Sequence, residues 1–217
     1  TDPDADTLAV TNAAGDSVTA TATVTVVTLP QLTFQVPDTT NPGSTVPLVL
    51  KSIPAGSFLM GRYAGEQDSD STEDPQHTVT ISQPFYMATT ETTQALWKAV
   101  MGSNPSYFSI AGGGSSTDDF TRPVEQVSWD AIHTDATGFL ALLNAATAAT
   151  RPAGTAFQLP SEAQWEYACR AGTTTRFYWG DDPSYTVGDD YAWWWSNSGN
   201  TTRPVGTRTS RGRPETA

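Results

Sequence analysis

The chain has 217 residues, 37% of them hydrophobic, with 17 Gly and 15 Pro, and 23 acidic side chains stand against 11 basic ones. That length allows one domain with a fragment beside it, or two small ones, and a net charge of −12 excludes the cationic surface that a nucleic acid requires. No run approaches the roughly 20 apolar residues that cross a bilayer, and a single cysteine excludes an internal disulfide framework and a thiolate metal cage.

Thr1-Asp2-Pro3-Asp4 shows neither an initiator Met nor a signal peptide's pattern, so the chain is expected to begin inside something longer. From Ser17 to Val26, Val18, Ala20, Ala22, Val24 and Val26 alternate with Thr19, Thr21, Thr23 and Thr25, the pattern of a half-buried strand. A shorter alternation holds Leu8 and Val10, and Asn12 to Asp16 supplies turn chemistry, so residues 7–26 read as a hairpin. The run resembles the closing hairpin of bacterial immunoglobulin-like or cadherin-like surface repeats, which makes residues 1–28 the end of such a repeat. Asp2, Asp4 and Asp6 share one face of an extended segment. Either they hold Ca²⁺ between repeats or they form a solvated acidic loop.

Residues 29–47 carry Pro30, Pro37, Pro42 and Pro47 with little charge and read as a linker containing a short strand, Leu32 to Val36. The body, 48–217, mixes strands, helices and long loops, with no internal repeat. Leu48 to Met60 reads as a strand pair around Pro54-Ala55-Gly56, and His77 to Met87 as another strand. Between them, Glu66 to Asp74 holds five carboxylates and is either a solvated loop or a cation site. Glu91 to Met101 has helical spacing and Gly102 stops it. A second helix spans Trp129 to Ala145 with Ile132, Ala136, Phe139, Leu140 and Leu143 on one stripe. A third starts at Ser161, where Ser161 and Gln164 make a capping box, and ends near Gly172. The rest reads as loop, rich in Tyr178, Trp179, Tyr185, Tyr191, Trp193, Trp194 and Trp195.

Five blocks then carry a family resemblance: Ile53-Pro54-Ala55-Gly56-Ser57-Phe58-Leu59-Met60-Gly61, Pro75-Gln76-His77-Thr78-Val79, Thr90-Glu91-Thr92-Thr93, Pro123-Val124-Glu125-Gln126-Val127-Ser128-Trp129, and Leu159-Pro160-Ser161-Glu162-Ala163-Gln164-Trp165-Glu166-Tyr167-Ala168. In this order they resemble the formylglycine-generating enzyme, or sulfatase-modifying factor, domain. The stretch from Tyr167 to Thr175 is similar to bacterial members. The resemblance implies an α+β, C-type-lectin-like, loop-rich fold for 48–217, with Ca²⁺ stapling some loops. In active members it also implies a Cu(I)-binding cysteine pair that oxidises a sulfatase cysteine to formylglycine.

That cysteine pair and the Gly-Leu-Tyr-Asp-Met and Gly-Asn-Val-Trp-Glu-Trp runs before it have no counterpart here. The domain is therefore expected to be C-terminally incomplete, with no catalytic residue and no copper. Cys169 reads as a small core residue, since one thiol falls short of the two soft ligands of linear Cu(I). His77 reads as a structural hydrogen bonder and His133 as exposed. Asn197 and the Ser198 carbonyl match the start of one family Ca²⁺ site, and the alternative is a simple turn. The candidate metal residues are thus Asn197, Ser198, Asp4 and Asp6. The aromatic cluster either packs between loop and core or forms a binding surface. Two functions compete: a fragment of a sulfatase-modifying enzyme, inactive as it stands, or a non-catalytic lectin-like module for a protein or glycan ligand. Both are expected outside the cytoplasm, as part of a secreted or surface protein.

Overall fold

The structure is a computed structural model, and it describes residues 7–11, 17–21 and 30–208. Strands β1 (Thr7–Thr11) and β2 (Ser17–Thr21) pair antiparallel, Thr7 opposite Thr21 and Thr11 opposite Ser17, and the rest of the strand expected to run to Val26 lies outside the described residues. Asp4 and Asp6, the acidic pair proposed for Ca²⁺, lie outside the described residues.

The stretch expected to be a linker contributes β3 (Gln31–Pro37) and the start of β4 (Thr45–Ile53). Phe34 and Val36 alternate inward from it and are buried. β4 sits between β3 and β7 (Phe85–Ala88), antiparallel to both. Pro47 is compatible with this because β7 pairs only with residues 50–53, so at Pro47 the strand has a neighbour on one side alone.

Two further expectations about strands change. The segment Leu48 to Met60 does not fold back on itself: β5 (Gly56–Met60) leaves β4 at Pro54-Ala55 and pairs with β6 (His77–Ile81) in a separate two-stranded sheet. The single strand expected over His77 to Met87 is divided into β6 and β7, which join different sheets, because Ser82-Gln83-Pro84 interrupts it.

Helix α1 (Gln94–Met101) is capped by the Thr93 hydroxyl, which accepts from the Leu96 amide, and stops at Gly102 in the left-handed conformation. The long second helix breaks in two. Helix α2 (Trp129–His133) and α3 (Phe139–Ala146) are separated by a turn in which Ala136 has φ of 66°. A Cβ at Gly138 would lie 2.6 Å from the Thr134 nitrogen, so the turn needs glycine there. Helix α4 (Glu162–Arg170) shows the expected capping box between Ser161 and Gln164, and a short α5 (Gly188–Tyr191) follows.

The main core lies where α1 and α3 cover the β3–β4 face. Phe34, Val36, Leu50, Leu96, Trp97, Val100, Phe139 and Leu143 form it, with Trp97 stacked on Phe139 at 4.8 Å and 3°. Residues 103–128 hold no helix or strand, yet fully buried Gln94 anchors them. Its Nε2 donates to the carbonyl of Phe108 at 3.3 Å, and its Oε1 accepts from Asn104 at 2.8 Å. The Glu125 carboxylate accepts the amides of Tyr107 and Phe108 at 3.0 and 2.8 Å. The Pro123-to-Trp129 block is thereby explained as loop support.

Candidate functional site

Strict alternation along β4 sends Val49, Lys51 and Ile53 away from the core face that holds Leu48 and Leu50. On α4, Trp165, Ala168 and Cys169 stand at i, i+3 and i+4 and so share one helix face. These two faces, with Met87 of β7 and Gln31 of β3, border an open cleft of about 580 Å³. Its walls are mainly apolar and its polar groups are few, the composition of a ligand site. Trp165, at the rim, is 56% exposed.

What holds α4 in place is a short network. Tyr167 packs on Phe58 at 5.3 Å, and a Cβ on Gly56 would fall 2.4 Å from the Tyr167 hydroxyl. Glu166 accepts from the Gly61 amide at 2.9 Å and pairs with Arg170 at 2.7 Å. Gly56, Gly61, Glu166 and Tyr167 all belong to the resembling blocks, but their partnership spans the whole domain and no local pattern reveals it.

Cys169, expected in the core, is exposed. The reason is that α4 buries no residue completely and turns this face to the cleft. Burial of the thiol group by the surrounding walls nevertheless pushes its pKa up, with Arg170 opposing and Glu166 adding to the shift. At neutral pH the group is therefore a thiol rather than a nucleophilic thiolate. Copper, which the resemblance attaches to active relatives, does not fit these residues: linear Cu(I) takes two soft ligands, and this is the one cysteine of the chain.

Cys169 neighbours the aromatic loop through Tyr178. The Tyr178 phenol is raised first by burial and then by the neighbouring Cys169, and its hydroxyl donates to the Tyr191 carbonyl at 3.3 Å. Trp179 stacks on Phe177 at 4.6 Å and on Tyr191 at 5.1 Å. The Arg176 guanidinium lies over the Phe177 and Tyr185 rings at 4.7 and 4.8 Å. The cluster thus packs ring on ring rather than on the core. Its last members remain open: Trp195 is 78% exposed, while Trp193 donates to the Thr207 hydroxyl at 3.0 Å.

The remaining candidates occupy ordinary structural positions. His77 Nδ1 bonds the Pro75 carbonyl at 2.8 Å, the structural role expected of it. His133, expected to be exposed, is half-buried because its ring stacks on Trp129 at 4.1 Å. In the acidic loop, Asp74 pairs with Arg62, Asp70 caps a short turn at Ser71–Glu73, and Asp68 accepts from the Tyr185 hydroxyl at 2.6 Å. Among the described residues no group of three or more His, Cys, Asp or Glu is placed to share a metal ion. Asn197 and Ser198 do lie side by side at the aromatic loop's end. The Asn197 Oδ1 accepts from the Trp194 amide at 2.9 Å, and the Ser198 carbonyl accepts from Arg203 Nε at 3.0 Å.

Comparison with known proteins agrees with this architecture. A family model described as the sulfatase-modifying factor enzyme 1-like domain matches residues 35–213. The chain is 31% identical over 173 residues to the formylglycine-generating enzyme of Streptomyces coelicolor, covering 60% of this chain and 50% of that one. It is 30% identical over 144 residues to the chaperone protein LppX of Paenibacillus barcinonensis, covering 56% and 47%. The chain thus spans about half the length of the curated relatives it matches. Among solved structures, Treponema denticola variable protein 1 superposes with a TM-score of 0.61 at 26% identity, over 84% of this chain and 70% of that one. PvdO from Pseudomonas aeruginosa gives 0.59 at 23% identity, over 75% and 64%, which speaks for the fold alone.

Proposed function

Because the chain belongs to the sulfatase-modifying factor (formylglycine-generating enzyme) family, we propose that residues 30–208 form the frame of such a domain and, as they stand, bind without oxidising a substrate cysteine. The observation that carries this reading is the single cysteine, which lines the cleft with no second thiol beside it. Oxygen activation on copper in this family calls for a second thiol that this sequence lacks. Sulfatases or other protein substrates are partners of the whole protein only where that pair is supplied.

A second reading is favoured by one specific observation, the exposed tryptophans, Trp165 at the rim of the cleft and Trp195 on the aromatic loop. Trp165 and Trp195 present broad apolar faces to solvent, and such faces suit a peptide or glycan held against a rigid frame. The resemblance of residues 2–26 to surface repeats supports an extracytoplasmic location. Among the described residues no helix is long and apolar enough to cross a membrane.

The two readings are tested together. Purified chain is incubated with copper, oxygen and a cysteine-containing sulfatase peptide, and the peptide is followed by mass spectrometry for aldehyde. The expected result is none, and aldehyde formation above a copper-only control would refute the proposal. Quenching of tryptophan fluorescence by the same peptide or by a glycan panel, lost in Trp165→Ala, supports the binding module.

A further inference from the structure

Among the described residues, four arginines reach across loops to backbone carbonyls. Arg151 donates to the carbonyls of Thr155 at 2.9 Å and Asn144 at 3.1 Å. Arg170 joins the carbonyls of Gly61 and Thr175 at 3.1 and 3.2 Å. Arg122 bonds the Thr202 carbonyl and the Thr201 hydroxyl at 2.9 Å. Arg203 takes the Ser198 carbonyl at 3.0 Å. Converging carbonyls of this kind are what a hard divalent cation gathers when it orders loops, and a guanidinium offers them a permanent charge with five fixed donors.

At Asn197 and Ser198, where the resemblance places Ca²⁺, the oxygens are already engaged. The amide oxygen of Asn197 accepts from Trp194, and its nitrogen donates to Asp189 at 2.8 Å and to the Ala192 carbonyl at 3.0 Å. Asp189 Oδ1 also accepts the Trp194 indole. The Ser198 carbonyl faces Arg203, whose Nη2 lies 3.2 Å from where a Cβ on Gly199 would be, with its guanidinium 5.1 Å from the Trp193 ring centre. Ca²⁺ takes six to eight oxygens and would stand here against a like charge. The donor set does not fit it.

We propose that Arg203, backed by Arg122, takes the place of the divalent cation in the 189–205 loop, so that this loop is ordered without calcium. The family's Ca²⁺ dependence would then have been exchanged at this site for a covalently attached cation.

Hydrogen exchange of the amides of residues 189–205 tests the proposal locally, apart from any cation held elsewhere in the chain. In the wild-type protein these amides are expected to exchange at the same rate in EDTA and in millimolar CaCl₂. Arg203→Ala is expected to speed them by about tenfold, and Arg203→Lys, which keeps the charge but loses the fork, by less. Slowing of this segment by Ca²⁺ in the wild type would overturn the proposal, as would unchanged exchange in Arg203→Ala. If that variant fails to fold, the wild-type calcium comparison and Arg203→Lys decide alone. Neither outcome depends on whether the domain oxidises cysteine.

Discussion

The amide of Gly61 donates to Glu166 Oε1 at 2.9 Å across 105 positions of sequence, and the carbonyl of the same glycine accepts from Arg170 Nη2 at 3.1 Å. One Glu–Arg pair on successive turns of α4 therefore satisfies both backbone groups of the residue that follows β5. This is how the helix wall of the cleft is fixed to the small β5–β6 sheet.

Gly61→Ala is expected to destabilise by about 1–3 kcal/mol from strain alone, since φ is +92° and the new Cβ would fall 2.4 Å from the Glu73 carbonyl. Glu166→Ala leaves the part-buried Gly61 amide without its acceptor and Arg170 without its counter-charge, though Arg170 keeps the Gly61 and Thr175 carbonyls, and is expected to cost about 1–3 kcal/mol. Urea denaturation of both variants checks this. The double variant should depart from the sum of the two, because the residues are in direct contact.

Acid should weaken the fold through its carboxylates. The hydrogen bond from Arg62 holds Asp74 below its ordinary pKa, and the Thr121 hydroxyl does the same for Asp119, as the Thr40 hydroxyl does for Asp38. Groups lowered on folding stabilise the native state above the unfolded pKa, about 3.9. They lose that contribution as pH falls through the native value. Melting temperature is thus expected to be flat in this respect from neutral pH to about 4 and to drop below it. Asp74→Asn should make that drop shallower. The effect should shrink in high salt, since Asp74 is exposed.

Cys169 is expected to be alkylated by iodoacetamide more slowly than free cysteine at neutral pH, despite its exposure. Its rate should keep rising with pH beyond the ordinary thiol range of about 8.5. A pH–rate profile read by mass spectrometry measures this. Fast modification at pH 7 would mean that the cleft does not bury the thiol group as described.

Helices α1 and α4 were legible because their signals are local: Gly102, Ser161 and Gln164 each act within one turn of where they stand, whereas the start expected at Glu91 gave way to the Thr93 cap. The strand partners were not legible, since nothing near Leu50 says that it faces Leu32 on one side and Ala88 on the other. Proline misled at 29–47, where Pro37 ends β3 and Pro47 sits at a one-sided stretch of β4. The long helix over 129–145 kept its apolar stripe but not its continuity, because a left-handed Ala136 and the crowding at Gly138 outweigh periodicity. Of the candidate site, the neighbouring pair Asn197 and Ser198 could be found from sequence, whereas the arginine opposite them is set by loop closure.

Residues 103–128 look expendable by any count of secondary structure, yet they converge on a fully buried glutamine. A saturation library across this segment would therefore score as an inverted core. Asn104, Ser106 and Glu125 should be its intolerant positions, and greasy replacements there should be the most damaging alleles. Between them, Tyr107 and Ile110, which are exposed, should accept nearly anything. A surface loop by appearance would carry the fitness profile of an interior.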